Sequence, residues 1–188
     1  MPARKPPSEV TQASLERSAL AYLERFAASA GSLRRVLLRK IERSARAHGT
    51  DRDQGAAWIE ALIERYRRAG LLDDRLYAEA RTASLRRQGR SARAIAERLA
   101  QKGVGREVID EALAPTRTPA DELAAAARLA RRLRLGPYRL AADRDEQRGH
   151  RLRDLAALGR AGFSYETARK VVSAESPEAL ESLIAEAG

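Results

Sequence analysis

The sequence predicts an all-α protein, an elongated array of three tandem three-helix repeats of helix-turn-helix type. Three observations lead there. No stretch alternates apolar and polar residues with period two for long enough to make a strand. Apolar residues instead recur four apart, as at Ile95/Leu99 and Ile109/Leu113, each pair on one face of a helix. The central unit also recurs. With Ser91, Ile95, Leu99, Lys102, Ile109 and Leu113 as template, Ser29, Leu33, Leu37 and Lys40 stand 62 positions earlier, followed after an insertion by Ile59 and Ile63. A shift of 59 forward puts Leu158, Gly162, Phe163, Ala168 and Val172 in the places of Leu99, Gly103, Val104, Ile109 and Leu113. Repetition at this period marks units that bury apolar faces against one another. Leu37, Leu99 and Leu158 are then equivalent buried positions, with Ile59, Ile109 and Ala168 on the inner faces of the third helices.

The elements follow in order. Residues 1–13, Pro-rich and polar, are expected to be a disordered tail. The first repeat, 14–70, opens with a helical stripe of Leu15, Leu20, Leu23 and Phe26. Ser29 or Ser32 caps a second helix running to about Arg46, with Leu33, Val36, Leu37 and Ile41 inward. Ala47 to Gly55 reads as a loop, and Trp58, Ile59, Leu62, Ile63 and Tyr66 define a third helix stopped at Gly70. In the second repeat, 71–114, Asp73 or Asp74 caps the first helix and Gly89 ends it in the left-handed conformation. Ser91 caps the next, and Gly103-Val-Gly105 is the turn to the third. Helices this short must pack on one another to be stable. The breaker-rich Ala114-Pro-Thr-Arg-Thr-Pro119 leads to the third repeat, 120–173. There a helix from about Asp121 to Leu135 ends at Gly136-Pro137, another runs from Asp143 to about Arg160, and Ser164 caps the last through Val172. Pro177 opens a C-terminal acidic helix spanning 177–188. Trp58, Tyr66, Tyr77 and Phe163 read as core or inter-helix contacts.

Composition narrows the function. The 188 residues contain no cysteine, which removes disulfides, thiolate nucleophiles and thiolate metal sites together. No run of 18 apolar residues offers a membrane span, and the N-terminus lacks the apolar core of a signal peptide, so a cytoplasmic protein is expected. His150 has Glu146 and Asp154 four residues to either side, but Arg151 and Arg153 flank it, so the row reads as solvated charge. Gly103-Val-Gly105 lacks the Lys-Ser/Thr of a phosphate loop. No catalytic, cofactor or metal site is expected. The net charge of +10, with 32 Arg to 4 Lys, points to a polyanionic or strongly acidic partner. Each middle helix is rich in cations: Arg34, Arg35, Arg39 and Lys40 in the first repeat, Arg93, Arg98 and Lys102 in the second, and Arg151, Arg153 and Arg160 in the third. Between residues 81 and 106, where Arg86 and Arg87 also lie, eight basic side chains face a single acid, Glu97. Solvated helices usually mix signs. These twelve residues are the expected partner- or DNA-binding stripe.

Several stretches resemble the RecX family: Gly70-Leu-Leu-Asp-Asp-Arg-Leu-Tyr-Ala78, the helix ending Leu99-Ala-Gln-Lys-Gly-Val104, and Arg160-Ala-Gly-Phe-Ser-Tyr-Glu166 continuing to Val172. Ala19-Leu-Ala-Tyr-Leu23, with Ser29 and Leu33-Arg-Arg-Val-Leu-Leu-Arg-Lys40, extends the likeness to about residues 15–173. Tyr77 replaces the family's usual Phe, and the 47–55 segment is unusual for it. The resemblance implies a regulator that binds the RecA recombinase filament, with single- or double-stranded DNA within or beside it; the chain itself is expected to be a monomer. It implies restraint of the filament's ATPase, strand exchange and repair activity. The alternative carried by the basic helices alone is a sequence-nonspecific DNA-binding protein without a recombinase partner.

Overall fold

The computed structural model describes residues 8–139 and 144–188, the side chains of 144–148 excepted. Ten α-helices and no strand occur among these residues. They divide into two compact units that do not follow the repeats: residues up to Tyr77 together with Lys102–Gly105, and Ala78–Gln101 together with Arg106–Gly188.

The first unit is built on α1 (Gln12–Leu23), α2 (Ala30–His48) and α3 (Arg52–Arg68). Its core joins Leu15 and Ala19 to Leu33, Leu37 and Ile41 and to Ile59, Leu62, Ile63 and Tyr66, with Trp58 and Tyr22 half-buried against it. Three expectations are corrected here. The tail was expected to run to residue 13. Residues 1–7 lie outside the described set, but Thr11 caps α1 through Ser14 N–H at 3.2 Å, and Val10 N–H donates to Ser44 Oγ at 2.9 Å. The 47–55 loop shrinks to three residues. Where the second and third repeats carry Gly103 and Gly162, the first carries Ile41, so α2 runs on until Gly49 turns left-handed at φ 74°. Asp51 then caps α3 at once, accepting from Asp53 and Gln54 N–H at 2.8 and 3.2 Å. Gly55 is helical and pressed on Ile41, whose Cδ1 would meet an added Cβ at 2.6 Å. Finally, Leu20 and Phe26 do not join the inward stripe: they are 39% and 50% exposed.

The second unit takes α4 (Asp74–Arg87) from Ala78 on, then α5 (Ala92–Gln101), α6 (Arg106–Leu113), α7 (Pro119–Leu133), α8 (Arg144–Arg160), α9 (Tyr165–Ser173) and α10 (Pro177–Glu186). α5 packs on α6, and α9 on both α7 and α8. Leu123, Ala126, Leu129, Leu158, Phe163, Val171 and Leu180 share its main core. α7 starts two residues before the expected Asp121 because Thr118 accepts from Asp121 N–H and Pro119 occupies the first turn, where its missing N–H is no loss. It ends at Arg134 in the left-handed conformation rather than at Leu135. The expected helix start at Asp143 lies outside the described residues.

The equivalences predicted from the repeat are buried together. Leu37, Leu99 and Leu158 are each 0% exposed, and Ile59, Ile109 and Ala168 are buried beside them in their own units. Of the paired aspartates, Asp73 is the cap, its Oδ1 accepting from Arg75 and Leu76 N–H at 2.8 and 3.0 Å. Asp74 reaches elsewhere, taking the N–H of Ala30 at the start of α2 (2.8 Å).

Candidate nucleic-acid and partner-binding surface

In the first unit the packing of Leu33, Leu37 and Ile41 inward forces the intervening basic residues of α2 outward. The predicted cations there differ in what they have left to offer. Arg34 is committed: its Nε and Nη2 hold both oxygens of Glu60 at 2.5 and 2.6 Å. That bidentate bond lowers the Glu60 pKa and raises that of Arg34. Arg35 bonds only the carbonyl of Gly31, and Lys40 only Ser18 Oγ at 2.6 Å. Arg39 is exposed, as is Lys102, whose carbonyl accepts from Ser29 Oγ at 2.6 Å while its ammonium is left to solvent. Among the described residues no carboxylate lies within 4 Å of Arg35, Arg39, Lys40 or Lys102.

In the second unit Arg87, Arg93, Arg98, Arg151, Arg153 and Arg160 are all exposed. Arg93 pairs with Glu97 one turn on (3.1 Å), a solvated pair worth little. Arg151 donates to Ser173 Oγ at 2.7 Å. Arg87, Arg98, Arg153 and Arg160 have no carboxylate partner among the described residues.

Arg86 does not belong to this surface. It is 6% exposed, with Nη1 2.6 Å from Glu122 Oε1 and 3.2 Å from the carbonyl of Arg90, and Nη2 on the carbonyl of Thr116. A guanidinium enclosed in this way braces the fold; its neighbour Arg87 alone continues the exposed set. The Glu146/His150/Asp154 row also changes character. Asp154 is buried, accepting from Gly136 N–H (2.9 Å) and from Arg139, while the Glu146 side chain lies outside the described set. No cluster of three or more metal-ligating side chains occurs among the described residues, and none of their helices is long and apolar enough to cross a membrane.

The sequence reading missed one constellation. Arg17 on α1 and Arg25 in the turn just past its end stand beside Tyr22 and Phe26, lining an open groove with Lys40. The signal was partial: Arg17 and Tyr22 lie on α1 and Arg25 and Phe26 follow close behind, but the helix ends at Leu23, so helical spacing does not place the last two.

Comparison with known proteins places the chain. The regulatory protein RecX of Myxococcus xanthus is 46% identical over 168 residues, which span 89% of each chain. The protein belongs to the RecX family. The family model for the second three-helix domain of RecX matches residues 73–113, the span of α4 to α6. The regulatory protein RecX of Agrobacterium fabrum is 40% identical over 108 residues, 57% of this chain and 55% of that one. The fold is also that of a crystal structure of RecX from Lactobacillus salivarius, with a TM-score of 0.61, 19% identity, and 87% and 96% of the two chains covered. A second crystal structure of regulatory protein RecX gives 0.59 at 23% identity, covering 86% and 70%.

Proposed function

We propose that this RecX-family protein binds the RecA–DNA filament and restrains its ATPase, strand exchange or growth, acting by contact and not by catalysis, in the cytoplasm. The observation that supports the reading is the set of exposed cations without carboxylate partners on each repeat's middle helix or the turn after it. A filament displays phosphate and protein surface at regular intervals. A chain of repeated units meets such a target with several weak contacts, and effective concentration turns these into useful avidity. The members of the predicted stripe other than Arg86, namely Arg34, Arg35, Arg39, Lys40, Arg87, Arg93, Arg98, Lys102, Arg151, Arg153 and Arg160, are the proposed contacts. Arg34 and Lys40 are half-buried and the others exposed, and Arg34 and Arg93 carry carboxylate partners of their own.

The same cations favour a second reading, a DNA-binding protein with no recombinase partner. One experiment separates them. Arg93→Glu, Arg98→Glu and Lys102→Glu together reverse charge at exposed positions while Ile95 and Leu99 keep the core of α5. RecA ATPase on single-stranded DNA is measured with wild type and variant across a DNA titration. Inhibition by wild type that persists at saturating DNA and is lost in the folded variant supports filament contact. Inhibition that excess DNA abolishes leaves only competition for DNA.

A further inference from the structure

α1 carries two stripes. One, with Leu15 and Ala19, is buried in the first core. The other, with Arg17, Ser18 and Tyr22, runs on past the end of the helix to Arg25 and Phe26 and borders an open groove closed on the α2 side by Val36 and Lys40. Phe26 leaves half its surface in water although the apolar core is close at hand. Its ring centroid lies 5.2 Å from that of Tyr22 at a tilt of 42°, and the Arg25 guanidinium sits over the Phe26 ring, 5.5 Å from its centroid. Several arginines of this unit are already committed to carboxylates, and the cations around the rings are not. Arg34, Arg46, Arg52, Arg65 and Arg67 each hold a carboxylate. Among the described residues Arg17, Arg25 and Lys40 hold none, and Lys40 is steered toward the groove by its bond to Ser18 Oγ.

An exposed ring face with unmatched cations beside it suits a ligand that brings a planar π system and negative charge on one flexible backbone. We propose that this groove binds single-stranded nucleic acid, with unstacked bases on Phe26 and Tyr22 and phosphates on Arg17, Arg25 and Lys40. Arg17 lies on α1 and Arg25 in the turn just past its end, eight residues on, so the two are offered to different phosphates of one strand. Duplex DNA does not fit this role, because its base faces are already stacked. An acidic peptide would satisfy the cations, but the groove is shallow and has no walls to enclose an apolar side chain. A base needs only a face to lie on. The guanidinium over Phe26 is displaced by an incoming base and is then free for a phosphate. The inference stands apart from the filament reading, since its test contains no recombinase.

The test is fluorescence anisotropy of a labelled oligo-dT strand against an abasic strand of the same length. Phe26→Ala should weaken oligo-dT binding by about 5- to 100-fold and leave abasic binding unchanged. Phe26→Trp should retain affinity and show tryptophan quenching on addition of oligo-dT. Arg17→Glu with Arg25→Glu should weaken both strands and flatten the salt dependence. Circular dichroism checks that each variant is folded, which the exposure of these side chains favours. Unchanged oligo-dT affinity in folded Phe26→Ala, or equal wild-type affinity for the two strands, overturns the proposal. So does binding of a Glu-rich, Phe-containing peptide to the groove in the absence of any oligo-dT binding.

Discussion

Replacing Glu122 by Ala should be among the most damaging single changes available on a polar residue of this protein. Glu122 Oε1 accepts from Arg86 Nη1 at 2.6 Å and from Ala92 N–H at 2.8 Å. The Arg86 side chain is 8% exposed and that of Glu122 is 21% exposed. Removing one partner of a fully buried ion pair costs about 3–5 kcal/mol, because the other charge remains without compensation. Two features reduce that here. Arg86 keeps the carbonyls of Arg90 and Thr116, and water enters from the Glu122 side. A loss of about 2 kcal/mol from the charge is reasonable, with about 1 kcal/mol more from the orphaned helix-start donor of α5. The total of about 3 kcal/mol lowers the melting temperature by about 6–12 °C for a chain of this size.

Glu122→Gln separates the two contributions, since the amide oxygen still accepts from Ala92 but carries no charge. It should lose about 2 kcal/mol. Arg86→Met combined with Glu122→Ala should cost clearly less than the sum of the single changes, because no buried charge is then stranded. Urea unfolding followed by circular dichroism measures all four variants. A loss below about 0.5 kcal/mol for Glu122→Ala, or strict additivity in the double variant, would refute the view that Arg86 is a structural cation held by Glu122.

Other outcomes can be checked with the same preparations. Leu99→Ala, at a fully buried position, should cost about 2–5 kcal/mol in urea unfolding. Gly103→Ala should destabilise by about 2 kcal/mol or more, because φ is 77° and an added Cβ would lie 2.9 Å from Gly31 Cα; a smaller loss would mean that the two backbones part readily. Glu42, bonded first by Arg52 and then by Arg46, should titrate at about 2 by NMR and return to the ordinary carboxylate range when both arginines are replaced. Because its pKa is lowered by folding, its contribution is complete above the ordinary value and fades as pH falls toward 2. Binding to duplex DNA should fall by roughly 0.9 log units per log unit of salt for each phosphate neutralised, with little sequence preference; a sharp preference for one sequence would point to base reading.

Much of the fold was legible because burial in short helices imposes spacing. Ile95/Leu99 and Ile109/Leu113 announce their helices, and Ser29, Ser91 and Ser164 announce where three of them start. The errors fall where spacing carries no information. Polar residues at 47–55 looked like a loop, yet Asp51 caps a helix whose Gly55 is small only because Ile41 presses on it. Phe26 fell near the apolar stripe of α1 but lies just beyond the end of the helix, where that periodicity no longer places a side chain. Arg86 and Arg87 are indistinguishable as letters. Burial of one and exposure of the other depend on Glu122, 36 positions away from Arg86, and no local rule reports that.

The residues that link successive repeats explain why the repetition is faint in sequence and firm in structure. In the first unit Ser29 Oγ donates to the carbonyl of Lys102, just before left-handed Gly103, while Asp74 takes the N–H of Ala30. In the second unit Ser91 Oγ donates to the carbonyl of Ala161, just before left-handed Gly162, and Glu122 takes the N–H of Ala92. It is one joint used twice: a capping serine bonded to a turn carbonyl, and an acid on the first helical N–H. Each acid also holds an arginine, Arg67 on Asp74 and Arg86 on Glu122. The parts come from three stretches of chain with different intervals between them, so no single shift aligns them. Asp74 and Glu122 stand 48 apart, while Ser29 and Ser91 stand 62 apart. Exposure differs as well, since the Arg67 side chain is 46% exposed and that of Arg86 is 8% exposed. The first joint is therefore held mainly by its hydrogen bonds and the second by a buried charge pair as well. Solvent exposure decides which arginine at such a joint braces the fold and which keeps a face in solvent.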